Sequence, residues 1–168
     1  MCQPVHVRNA KPGDIPTMMR MKRALAALDG HADVFRASEY QWARDIFGAE
    51  PRFSALIAQY EHATVGMAIY SQKHITGWTG PTIYLQDLFV KEGYRRQGVA
   101  KALLQKVAAS LAGERLGQIE LNVRADNPAR DFYKRMGFEH ISICMTYVIG
   151  GPALAQLASV AGDLVGII

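Results

Sequence analysis

The stretch Ile83-Tyr-Leu-Gln-Asp-Leu-Phe-Val90, then Lys91-Glu-Gly-Tyr-Arg-Arg-Gln97, then Gly98-Val-Ala100, decides the fold. The first run is apolar, β-branched and aromatic, and reads as a buried strand. From Val99 to Leu111 the apolar residues at 99, 103, 104, 107, 108 and 111 mark one face of a helix, which Gly113 closes. A strand feeding a glycine-containing turn at a helix N-terminus leaves backbone N–H groups without partners. Together with the positive end of the helix dipole, those donors make an anion site. Arg95 and Arg96 add fixed positive charge beside it. A plain strand–turn–helix, with Gly98 serving only the tight turn, is the other reading of this segment.

Working outward, Val5-His-Val7 reads as a first strand, and Lys11-Pro-Gly-Asp14 as a turn with Asp14 as N-cap of a helix. Met18, Met21, Leu25 and Leu28 fall at helical spacing before Asp29-Gly30 stops the helix. Ser38-Glu-Tyr-Gln41 has the capping-box pattern and starts a second helix through Phe47. Phe53–Tyr60 and Thr64–Ser71 form an antiparallel hairpin across Glu61-His-Ala. Trp78, in the loop before the central strand, is either a hydrophobic plug or a wall of an acceptor pocket. Gln118–Val123 is a strand, and Pro128–Met136 a short helix ended by Gly137. Glu139–Ile141 and Ile143–Val148 suggest closing strands, and the apolar tail a last helix. The order βααβββαβαββ makes an α/β (α+β) protein, a mixed sheet with helices on both faces.

The 168 residues suggest one domain over 1–168, with 150–168 as a C-terminal tail. A 49% hydrophobic, 20% charged composition is that of an ordinary globular protein. The net charge of +4 is spread out, with no basic run or interleaved aromatics of a nucleic-acid binder. Two cysteines, Cys2 and Cys144, give neither a disulfide framework nor metal spacing. No signal pattern opens the chain, and the tail is too interrupted for a membrane span. A soluble cytoplasmic protein without nucleic-acid, membrane or metal partners is the expectation.

Two motifs then narrow the function. Arg95-Arg-Gln-Gly98-Val-Ala100 matches Arg/Gln-x-x-Gly-x-Gly/Ala, and downstream stands Asp126-Asn-Pro-Ala-Arg-Asp-Phe132-Tyr133-Lys-Arg-Met-Gly137-Phe138. In order and spacing the pair resembles the GNAT acetyltransferase superfamily. Arg36-Ala-Ser-Glu-Tyr, Phe47-Gly-Ala-Glu-Pro-Arg-Phe53 and Tyr84-Leu-Gln-Asp-Leu-Phe-Val90 are most similar to its diamine (spermidine/spermine) acetyltransferase branch.

The resemblance implies the GNAT fold, acetyl-CoA as co-substrate and direct acetyl transfer to a primary amine of a small molecule, diamine-like or amino-acid-like. It also implies a homodimer. The pyrophosphate would sit on Arg95, Arg96, Gln97, Gly98, Val99, Ala100 and Lys101. The pantetheine arm would lie along the backbone of Leu88, Phe89 and Val90, between splayed fourth and fifth strands. The Leu88 N–H would polarise the thioester carbonyl, and Tyr133 would return a proton to the departing sulfur. Asn127 would contact CoA, although Asp126 holds the position where many family members place asparagine. That branch has a glutamate base where this chain has Gln86. Alternation points Asp87 to the opposite face from Gln86, so proton removal falls to a water chain ending at Asp87 or Glu92, or the acceptor arrives neutral. Gln86, Asp87 and Trp78 are the acceptor-site candidates. A non-catalytic acyl-CoA sensor, a peptide or protein acetyltransferase, and an interaction domain whose Gly98 loop binds no anion are the competing readings.

Overall fold

The computed structural model describes residues 5–30, 33, 35–77, 79–113, 117–142, 149 and 151–156. Trp78, Cys2, Cys144, the predicted strand at 143–148 and the tail beyond 156 lie outside them. The chain divides into two compact units, residues 1–127 and 128–168.

The first unit contains β1 (His6–Asn9), α1 (Ile15–Leu28), α2 (Glu39–Phe47), β2 (Ser54–Tyr60), β3 (Ala63–Lys73), β4 (Thr82–Val90), α3 (Val99–Ala109) and β5 (Gln118–Glu120). The sheet order is β1-β2-β3-β4-β5. The first four strands are antiparallel neighbours, and β5 joins β4 in parallel. This is the mixed sheet that the hydrophobic pattern predicts.

Helices cover both faces of the sheet because β3 is apolar on both. Met67 and Ile69 pack with Met18 and Met21 of α1 and Ile46 of α2. Gly66, one residue out of step with Met67 and so on the other face, lies against Val99 and Leu103 of α3. A Cβ on Gly66 would stand 2.9 Å from the Phe89 carbonyl oxygen and 3.1 Å from Val99 Cγ1. The missing side chain is what lets α3 sit down on β3 and β4.

The start of α2 follows its local signal. Ser38 forms the full capping box: its hydroxyl accepts from the Gln41 N–H while the Gln41 side chain accepts from the Ser38 N–H. Asp14 differs from expectation. It precedes α1 but does not cap it with its side chain. Its carboxylate instead takes both Arg8 guanidinium nitrogens, at 2.7 and 2.9 Å, and the Lys11 N–H at 2.7 Å. A fork-to-fork charged pair outcompetes a neutral cap. Two predicted strands are also shorter or shifted: β1 runs to Asn9, and β5 stops at Glu120 instead of Val123.

In the second unit, Pro128 is the N-cap of α4 (Ala129–Arg135), and Gly137 at φ +89° ends the turn that follows. Residues 139–141 are irregular and exposed rather than a strand, with no ladder partner among the described residues. Residues 151–156 are helical, as the apolar tail suggested.

Candidate active site

In the first unit the candidate site is built on the far end of β4. Strand β5 accompanies β4 only along Thr82, Ile83 and Tyr84, so residues 85–90 run on with no strand on that side among the described residues. Which backbone groups face the gap follows from the ladder. The Lys91 N–H donates to the Val65 carbonyl at 2.9 Å, turning Lys91 toward β3. Alternation then turns Phe89 toward β3 as well, and Leu88 and Val90 away from it. Leu88 and Val90 thus present backbone groups to the open side. Phe89 does not join them, and its side chain lies in the core with Met18 and Met67. The Val90 carbonyl accepts from Arg95 Nε at 3.1 Å, which folds the following loop back onto the strand end.

That loop is wound by two left-handed residues, Arg96 at φ +63° and Gly98 at φ +83°. Gln97 between them ties its side chain to the Gly93 carbonyl at 3.0 Å. Gly98 is the N-cap of α3 and has no side chain to cap with. The first intrahelical donor is the Ala102 N–H, which bonds the Gly98 carbonyl at 2.9 Å. The N–H groups of Val99, Ala100 and Lys101 therefore open the helix without intrahelical acceptors. Nothing stands within 4 Å of where a Gly98 side chain would begin. Backbone donors at a helix N-terminus, with Arg96 and Lys101 exposed beside them, suit a phosphate ester.

Next to this edge, a cleft of about 510 Å³ opens between α1, α2 and the sheet. Its wall carries Lys22, Arg36, Trp42 and Asp45 as well as Gln86 and Asp87. Gln86 and Asp87 share this wall, which corrects the expectation of opposite faces. Ile69 pairs with Asp87 and Tyr70 with Leu85, so Gln86 is an extra residue in β4. A bulge of this kind suspends alternation and re-aims side chains, and bulges concentrate near active sites. Asp87 is buried and bonded through Oδ1 to Lys22 Nζ at 2.5 Å. The Arg44 guanidinium, hydrogen-bonded at 2.8 Å, holds the Asp45 carboxyl below the usual carboxylate range. Phe35 and Trp42 meet edge to face with centroids 6.1 Å apart.

Asn127 and Asp126 behave differently from each other. Asn127 is half-buried and its Nδ2 donates to Asp29 Oδ1 at 3.5 Å. Asp126 is exposed and paired with Arg124 at 2.7 Å, which holds its carboxyl low. In the second unit, the Tyr133 ring on α4 is half-buried between Phe132 and Phe138, at centroid distances of 5.3 and 5.5 Å.

Of the cleft residues that pattern reading did not place in the site, among them Arg36, Trp42 and Asp45, Lys22 is the one paired with Asp87. It stands four residues after Met18 and three before Leu25, on the stripe that packs against the sheet. A charge on an apolar stripe needs a buried partner, and that was the available signal. Among the described residues no group of three or more His, Cys, Asp or Glu is placed to hold a metal. No described helix is long and apolar enough to cross a membrane.

A strand that runs on past its parallel neighbour, followed by a loop that turns backbone N–H groups outward at a helix N-terminus, is an arrangement open to an extended phosphate-bearing ligand. Residues 21–138 match the model of the acetyltransferase (GNAT) family, and the chain belongs to that family. It is an acetyl-CoA-dependent N-acetyltransferase. It is 36% identical over 166 residues to a thialysine N-epsilon-acetyltransferase of Sus scrofa, covering 92% of this chain and 97% of that one. It is 31% identical over 109 residues to a human spermidine/spermine N(1)-acetyltransferase-like protein, covering 61% of this chain and 16% of that one. In fold it is similar to an aminoglycoside acetyltransferase from an uncultured soil metagenomic sample, with TM-score 0.70, 17% identity, and coverage of 87% and 97%.

Proposed function

We propose that the acceptor is a small primary amine seated in the cleft of the first unit, and that acetyl-CoA lies along the open side of β4. The observation that supports this most is the unaccompanied end of β4: Leu88 and Val90 offer backbone groups just before a loop shaped for phosphate. Acetyl-CoA supplies a thioester, whose acyl carbon forms the new amide bond as sulfur leaves. The chain's own residues do the rest. Arg95, Arg96, Gln97, Gly98, Val99, Ala100 and Lys101 hold the pyrophosphate, and Asn127 adds a contact. The Leu88 N–H stabilises the charge that grows on the acyl oxygen, commonly a large contribution to acyl transfer. The role of Tyr133, giving a proton to sulfur, rests on its place in the family motif. The proton released by the amine passes through water to Asp87, whose Oδ1 accepts from Lys22 Nζ.

The acceptor class is carried by the similarity to thialysine and polyamine acetyltransferases. A cytoplasmic homodimer is the working form we propose from the resemblance to the diamine acetyltransferase branch, and light scattering that reports only monomer at micromolar concentration would count against it. The decisive experiment is thiol release from acetyl-CoA across a panel of small amines. Turnover with several primary amines supports the reading. Acetyl-CoA binding by thermal shift with no thiol release from any of them would leave a sensor instead.

A further inference from the structure

The cleft wall is not acidic, and one side chain accounts for much of that. Two carboxylates face the cleft, and each is answered by a cation: Asp87 by Lys22 at 2.5 Å, Asp45 by Arg44 at 2.8 Å. Arg36 adds a further positive charge on the same wall. Lys22, Arg36 and Arg44 against Asp45 and Asp87 leave a formal charge of +1 around a space bounded also by Phe35 and Trp42. A di- or polycationic amine gains little from such a wall. Its second ammonium would have to displace Lys22 from a buried carboxylate. An ammonium carries three donors, and among the described residues Lys22 uses one on Asp87. The remaining donors belong to a side chain 29% exposed on the cleft wall.

We propose that Lys22 sets acceptor specificity: it masks Asp87 from polycations and receives the carboxylate of an amino-acid-like amine. Arg36 on the same wall supplies a second, planar donor for that carboxylate. The proposal rests on the cleft being the acceptor site. Selectivity then arises from attraction to one class and repulsion of the other acting together.

The test compares pairs of acceptors that differ only in the carboxylate: lysine against cadaverine, and ornithine against putrescine. Each is measured by kcat/KM and, without acetyl-CoA, by acceptor-induced thermal shift. The wild-type protein should prefer the amino acid in each pair. Lys22→Met should lower that preference by roughly tenfold or more, through loss for the amino acid and gain for the diamine. Lys22→Arg should retain it. The double variant Lys22→Met with Asp87→Asn leaves no buried charge unpaired, which protects against simple unfolding; read by acceptor-induced thermal shift alone, since Asp87 is placed in proton removal, it should lose the preference without gaining the diamine. An unchanged preference in folded Lys22→Met overturns the proposal while the acetyltransferase reading stands. No turnover of any amine by the wild-type protein overturns both.

Discussion

Gly98 holds its backbone at φ +83°, a region that costs a β-branched residue on the order of 1–2 kcal/mol or more. Open space surrounds its α-carbon, so a side chain there would project into whatever the loop binds. Gly98→Val should lower stability modestly and remove acetyl-CoA binding in calorimetry. Unchanged affinity in the folded variant would mean that phosphate does not approach this turn. Tyr133 makes the opposite kind of prediction, since its ring packs between Phe132 and Phe138 whatever its hydroxyl does. Tyr133→Phe should keep the fold and the affinity for acetyl-CoA while the rate drops, on the order of a hundredfold for loss of a general acid. A thiolate is a fair leaving group, so the loss should be smallest at high pH. A fully active Tyr133→Phe enzyme at pH 7 would remove the acid role.

At the scale of elements, the unit that positions the site is α3 laid on β3 and β4, and Gly66 is its closest approach. A methyl group there would overlap the Phe89 carbonyl at 2.9 Å and crowd Leu103 at 3.3 Å. Backbone cannot yield as a flexible side chain can, so Gly66→Ala should cost about 1–3 kcal/mol in denaturant unfolding. It should also weaken acetyl-CoA binding by shifting α3 against the end of β4. A variant as stable as the parent would show that α3 has slack. The strand, loop and helix from Thr82 to Ala109 were legible in sequence because period, glycine and charge agree there. The bulge at Gln86 was not: it changes the register of one strand against another, and pairing leaves no mark in one strand's own alternation. The partnership of Lys22 with Asp87 was hidden for a related reason. The two residues stand 65 positions apart, and only the fold brings α1 across β4. The short β5 is a matter of pairing too, since Leu121 and Val123 continue an apolar alternation that finds no ladder among the described residues.

Across the first unit as a whole, charge is arranged in pairs that bridge elements as much as in a field. Lys22–Asp87 joins α1 to β4, Lys73–Glu120 joins β3 to β5 at 2.6 Å, and Arg8–Asp14 joins β1 to the entry of α1. For Asp14, the hydrogen bonds from Arg8 lower the carboxyl pKa below its ordinary value. The folded state therefore binds fewer protons than the unfolded one in the acid range, and stability rises with pH there. The contribution of this pair is present above the unfolded carboxylate value of about 3.9 and is lost as pH falls through the lower folded value. The pair is partly exposed, so salt should weaken it. Thermal unfolding of Asp14→Asn against the parent tests this directly. The parent should be the more stable at pH 7, the gap should narrow steadily below pH 4, and at pH 7 it should shrink as salt is raised. A gap of the same size at pH 3 and pH 7 would show that Asp14 stabilises the start of α1 by shape and neutral hydrogen bonding alone, with its charge contributing nothing.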